Sequence, residues 1–80
     1  MSNDQIHARI EEMVTEERKL WERESAGQGG PEDRVRLEEL KIHLDQAWDL
    51  LRQRRGLSEA GFDENDAHIR DENTVENYKQ

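Results

Sequence analysis

The residues of this chain whose types could bind a metal are its three histidines, His7, His43 and His68. No two of them stand at the spacing of ligands for one ion. Glu39 and His43 share a helical face four residues apart, which is common by chance. A carboxylate-bridged metal site in a helical bundle needs inward-facing Glu-x-x-His repeats, and the sequence has no such set. We therefore predict no metal and no other cofactor.

Nucleophilic catalysis has no candidate group either. The chain contains no cysteine, which excludes thiolate chemistry and disulfides. Its serines stand in cap or loop contexts rather than in a strained nucleophile turn. The glycines of residues 25–30 (SAGQGG) lack both the preceding strand and the following Lys-Ser/Thr of a phosphate-binding loop. The sequence predicts that this protein is not an enzyme.

A basic cluster near the middle of the chain is the remaining candidate. Arg52, Arg54 and Arg55 follow Trp48 by one to two helical turns, a spacing that suits phosphate contacts beside base stacking. The chain as a whole has a net charge of −8, which repels nucleic acid and anionic lipid at long range. We therefore predict a protein-interaction surface here, with a small nucleic-acid-associated regulator as the alternative function. The predicted surface comprises Asp45, Gln46, Trp48, Asp49, Arg52, Gln53, Arg54 and Arg55.

Two amphipathic helices must position these residues. In the first, apolar residues recur at intervals of four and three residues and so fall on one stripe. Ser2 and Gln5 have the spacing of a capping box, which predicts helix one over about residues 3–24. The stripe consists of Ile6, Ile10, Met13 and Leu20, with Glu17 as its charged member.

The second helix follows a glycine-rich loop at residues 25–30. Pro31 suits the first position of a helix. Gly56 and Gly61 are both candidate C-terminal caps, and we favour an end near Gly61, which gives a helix over about residues 31–60. Two helices of this length joined by a short loop predict an antiparallel, coiled-coil-like hairpin over residues 1–61. The apolar stripe of helix two consists of Leu37, Leu40, Leu44, Ala47, Trp48 and Leu51.

A hairpin of two helices has a single seam, and helix two has more apolar residues than that seam needs. The extra residues form two pairs at heptad spacing. We predict that they bring two copies of the chain together as a homodimer with the shape of a four-helix bundle; the tail is the other candidate to cover them. The predicted self-association residues are Val35, Ile42, Leu50 and Leu57.

Residues 62–80 form an acidic tail without sustained periodicity. We expect it to be irregular and weakly ordered, held by the apolar side chains Phe62, Ile69, Val75 and Tyr78. The N-terminus lacks the basic and apolar regions of a signal peptide, and no apolar run is long enough to span a membrane. The expected location is cytoplasmic, with no membrane contact.

The run Leu44–Arg55 (LDQAWDLLRQRR) resembles a family of small uncharacterised actinobacterial proteins, known only as a domain of unknown function. The stretch EEMVTEERKLWE before it and VENY near the C-terminus share this resemblance, which thus spans nearly the whole chain. It implies a short, stand-alone cytoplasmic protein and carries over no catalytic residue. Residues and resemblance together predict an all-α, non-enzymatic module for protein–protein interaction or structural support.

Overall fold

The computed structural model of the chain describes residues 2–71 and Val75. Helix α1 spans Asn3–Ser25, helix α2 spans Pro31–Glu59, and a short 3-10 helix follows at Glu64–Asp66. The described residues contain no strand, so the all-α prediction is confirmed. Neither described helix combines the length and the apolar composition that crossing a membrane requires.

The predicted capping box opens α1. Ser2 Oγ accepts a hydrogen bond from the backbone N–H of Gln5 at 3.2 Å, and Gln5 Oε1 accepts one from the backbone N–H of Ser2 at 2.8 Å. These bonds satisfy two backbone donors that the start of a helix otherwise leaves unpaired. Residues close together in the sequence therefore determine where α1 begins.

Helix α2 continues through Gly56 and ends at Glu59. The backbone N–H of Phe62 donates to the carbonyl of Leu57 at 2.8 Å, and that of Gly61 donates to the carbonyl of Ser58 at 3.1 Å. This pair of bonds defines a Schellman motif. It requires the left-handed conformation of Gly61, whose φ is 82°.

Alanine substitutions at the two glycines of α2 and its cap should have opposite effects. Gly56 lies inside the helix, and an added Cβ would meet open space. Gly56→Ala should therefore raise the free energy of unfolding by about 0.5–1 kcal/mol. Gly61→Ala should lower it by about 1–2 kcal/mol, because a Cβ is unfavourable at positive φ. Urea unfolding followed by circular dichroism measures both; effects of the same sign would contradict this account.

Side-chain contacts at both ends of the molecule show that α1 and α2 run antiparallel. Near the loop, Arg23 Nε donates to Asp33 Oδ2 at 2.8 Å. At the far end, Arg54 Nε donates to Asn3 Oδ1 at 2.7 Å. The end of α1 thus lies beside the start of α2, and its start lies beside the end of α2. This is the predicted hairpin.

The seam, which is the line of contact between α1 and α2, holds the hydrophobic core. Half-buried apolar residues flank it, and Ala67 brings a contribution from beyond α2. The core is only one layer deep, so apolar side chains at its edges stay accessible. Its buried members are Ile6, Ile10, Met13, Leu40, Leu44 and Leu50.

Residues 62–71, here called the strap, return along α2. The sequence predicts apolar anchors in this region, but Phe62 and Ile69 are 67% and 62% exposed. Val75 is fully buried, and Tyr78 lies outside the described residues. Ala67 packs against the core, and polar side chains of α2 also hold the strap through hydrogen bonds to its backbone and ion pairs with its charged residues.

Candidate interaction surface

The structure divides the predicted interaction surface between two sides of α2. One set of residues faces the strap, and another lines a cleft that also contains His7. Asp45 is half-buried and lies between the two sets around the helix. The strap-facing set is Gln46, Asp49, Gln53 and Arg54, and the cleft set is Trp48, Arg52 and Arg55.

Arg54 is a buried arginine, 4% exposed, that joins three segments of the chain. Its Nε bonds to Asn3 Oδ1 at the start of α1. Its Nη2 donates to Glu64 Oε1 at 3.1 Å, and its Nη1 donates to the Glu64 carbonyl and to Asn65 Oδ1 at 3.3 and 3.2 Å. Burial of a guanidinium is tolerable because oxygens meet its donors in this way. Arg54 is therefore engaged within its own chain.

Three further side chains of α2 bind the strap. Gln53 Nε2 donates to the carbonyl of His68 at 2.7 Å, and Gln53 Oε1 accepts from the N–H of the same residue at 3.5 Å. Gln46 Nε2 donates to the carbonyl of Arg70 at 3.2 Å. Asp49, only 2% exposed, accepts from Gln53 at 2.9 Å and pairs with Arg70 Nε at 3.5 Å. The strap thus has one defined position along α2.

The other side of α2 carries an aromatic contact. The Trp48 ring meets the His7 ring edge-on, with the centroids 6.2 Å apart, and Trp48 remains 48% exposed. Such an arrangement leaves much of the indole face accessible. The cleft beside it, of about 530 Å³, also contains Arg52 and Arg55.

The basic cluster is largely neutralised by carboxylates. Each of its three arginines has an acidic neighbour within 4.0 Å, so little net positive charge remains for a phosphate. This arrangement weakens the nucleic-acid alternative. The pairs are Arg52 with Asp49, Arg54 with Glu64, and Arg55 with Glu59.

The four predicted self-association residues lie in different environments. Leu50 is 8% exposed and belongs to the core of its own chain. Ile42 and Leu57 are half-buried, whereas Val35 is 59% exposed on the outer side of α2. Val35 is therefore accessible to a partner, whereas Leu50 is already covered within its own chain.

An apolar groove beside the seam is a feature that sequence reasoning missed. It has a volume of about 760 Å³ and lies between α1 and α2, with Ile69 of the strap at its edge. Its floor is formed by residues that the helices bury or half-bury, namely Ile6, Met13, Ala47 and Leu50. Its rim consists of Gln5, Ala8, Arg9, Glu12, His43 and Gln46.

Ion pairs between α1 and α2 shift the pKa values of Glu16 and Arg23. Arg36 donates to both carboxylate oxygens of Glu16, at 2.6 and 3.0 Å, and this hydrogen bonding lowers the pKa of Glu16. The pKa of Arg23 is raised by its hydrogen bond to Asp33. Residues 2–71 and Val75 contain no group of three metal-ligating side chains that could hold an ion.

Comparison with known proteins identifies the family. Residues 2–80 match the family described as "Protein of unknown function (DUF2630)". An uncharacterized protein of Mycobacterium bovis is 42% identical to the chain over 74 residues, which cover 89% of this chain and 83% of that protein. An uncharacterized protein of Mycobacterium tuberculosis matches with the same identity and coverage. No solved structure matches the chain. The family matched over residues 2–80 confirms the resemblance seen in the sequence, and the chain belongs to the DUF2630 family.

Proposed function

We propose that this protein is a non-enzymatic protein–protein interaction module that acts as a homodimer. The observation that carries this proposal is the apolar groove beside the seam. A groove between two antiparallel helices is the shape that further helices fill in a bundle. The cytoplasmic location expected from the sequence belongs to the same proposal.

The chemistry of the groove favours binding over catalysis. Its ionisable side chains are Arg9, Glu12 and His43, and all three are exposed at the rim. An active site places an acid, a base or a nucleophile where burial or a partner tunes it for a reaction. These rim residues instead surround an apolar floor, which is the usual composition of a binding interface.

The chain exposes more surface than a compact monomer of its mass. The chain has an accessible surface of 5880 Å², whereas mass scaling gives roughly 5,000 Å² for a compact monomer of this size. The elongated shape of the chain accounts for this excess and leaves surface along the hairpin that a partner can cover. Dimensions of 50 × 26 × 16 Å describe an elongated hairpin. Two such hairpins packed groove to groove would form a four-helix bundle.

The charges on the rim favour a second copy of the chain as the partner. Arg9 Nη1 lies 3.4 Å from Glu12 Oε2 on α1, and both side chains are mostly exposed. In a two-fold symmetric dimer, Arg9 of each copy can meet Glu12 of the other. Ala8, also on the rim, presents little bulk to a second helix. A rim of a single charge would favour a different, oppositely charged partner.

Sedimentation equilibrium of charge-reversal variants tests this proposal. Arg9→Glu and Glu12→Arg should each raise the dissociation constant of the dimer about tenfold or more, because like charges then face each other. The double variant should return it to near the wild-type value. Arg18→Glu, at an exposed position outside the groove, carries the same change of charge and serves as the control. A wild-type chain that stays monomeric at all concentrations would overturn the proposal.

A further inference from the structure

We infer that the strap completes the dimer interface, because Ile69 forms part of the groove wall and becomes buried against the second copy. This inference rests on the proposed homodimer and specifies which residues outside the hairpin take part in it. Ile69 is 62% exposed within a single chain, yet it lines the groove together with residues of both helices.

The backbone on both sides of Ile69 is fixed to α2. Gln53 binds the N–H and the carbonyl of His68, and Gln46 binds the carbonyl of Arg70. With both neighbours held, the position of Ile69 beside the groove is determined by α2. An exposed isoleucine held in one place loses little further freedom when a partner covers it.

The ionic groups that hold the strap are consistent with a positioning role. Asp49 and Arg54 are both almost fully buried, and burial of charged groups costs free energy that apolar packing would not. Such groups instead position the strap on α2. Asp49 pairs with the Arg70 side chain, and Arg54 binds Glu64 at the other end of the strap. Contacts at both ends define the register of the strap along α2, and hence the position of Ile69.

Phe62 offers a matched comparison within the same strap. It is a large apolar residue, 67% exposed, but it does not line the groove. If any exposed apolar side chain strengthened association non-specifically, substitutions at Phe62 and Ile69 would weaken the dimer equally. If Ile69 acts in one specific interface, only the substitution of Ile69 should weaken the dimer.

The experiment compares Ile69→Ser with Phe62→Ser in the full-length chain by sedimentation equilibrium. Ile69→Ser should raise the dissociation constant of the dimer at least about tenfold, because each dimer buries two copies of this side chain. Phe62→Ser should change it less than about twofold. The free energy of unfolding should be similar for both variants when it is measured at protein concentrations well below the dissociation constant of the dimer. Both side chains are exposed in the monomer, so neither substitution removes core packing.

A third variant tests the positioning of the strap. Gln53 does not line the groove, yet Gln53→Ala removes both of its bonds to His68. If the strap positions Ile69, this change should raise the dissociation constant several-fold. Arg55→Ala, at a side chain that is 81% exposed and pairs with Glu59 within α2, should leave it nearly unchanged.

The outcomes separate this inference from the proposed function. Equal dissociation constants for Ile69→Ser and Phe62→Ser, in a wild type that dimerises, would overturn the role of the strap while the homodimer stands. A dimer weakened by Val35→Ser and not by Ile69→Ser would place the interface on the outer side of α2 and would also overturn it. A wild-type chain that is monomeric at all concentrations would overturn the proposed homodimer itself.

Discussion

Replacing Leu40 by alanine should lower the free energy of unfolding by about 2–5 kcal/mol. Leu40 is fully buried in the core cluster, so the change removes apolar contacts and leaves a cavity. Domains of this size bury a small core and have correspondingly small total stability. A loss of this size should therefore leave a large fraction of the variant unfolded at room temperature.

Urea unfolding followed by far-UV circular dichroism measures the effect of Leu40→Ala. All variants should be compared at one protein concentration, because the proposed dimerisation would add a concentration-dependent contribution to stability. Val35→Ala is the control on the same helix. Val35 is 59% exposed, and alanine has the higher helix propensity, so the control should be neutral or slightly stabilising. A Leu40→Ala variant as stable as this control would contradict the single-seam core.

Replacing Arg54 by alanine should have the second-largest effect, a loss of about 2–4 kcal/mol. The change removes the hydrogen bonds to Asn3, Glu64 and Asn65 at once, and leaves their oxygens without the guanidinium. It also removes a buried side chain from the junction of α1, α2 and the strap. Glu64 is partly exposed, so its carboxylate can be hydrated once the guanidinium is removed. We therefore expect a smaller loss in the free energy of unfolding than for an isolated buried charge.

The neighbouring arginine is a strict control for Arg54→Ala. Arg55 has a side chain that is 81% exposed and makes an ion pair with Glu59 within α2. Arg55→Ala should change the free energy of unfolding by no more than about 0.5 kcal/mol. Hydrogen exchange adds a local readout: Arg54→Ala should speed exchange in the strap before it does so in the seam. Equal losses from the two substitutions would contradict the proposed role of Arg54.

The contrast between Arg54 and Arg55 shows what the sequence could and could not predict about the candidate site. Both belong to one basic cluster, and both were assigned to one interaction surface. Adjacent residues on a helix point about 100° apart, so only one of them can face the strap. The course of the strap along α2 decides which of the two arginines is buried, and the sequence pattern of α2 does not indicate that course.

The groove was missed for the same reason. Each helix has a recognisable apolar stripe, but the groove arises where the flanks of two stripes and Ile69 of the strap meet. Ala8 and Ala47 carry the available sequence signal, since small residues there leave space beside the seam. That signal is weak, because alanine is common in helices for its propensity alone.

The sequence by itself determined the secondary structure of this protein and the hairpin it forms. Helix starts and ends depend on hydrogen bonds that span a few residues, as between Ser2 and Gln5 or around Gly61. The tertiary structure alone decided which polar residues of α2 are buried and where the strap lies. Those outcomes depend on contacts between residues far apart in the chain, such as Arg54 with Asn3, and a local pattern contains no information about such contacts.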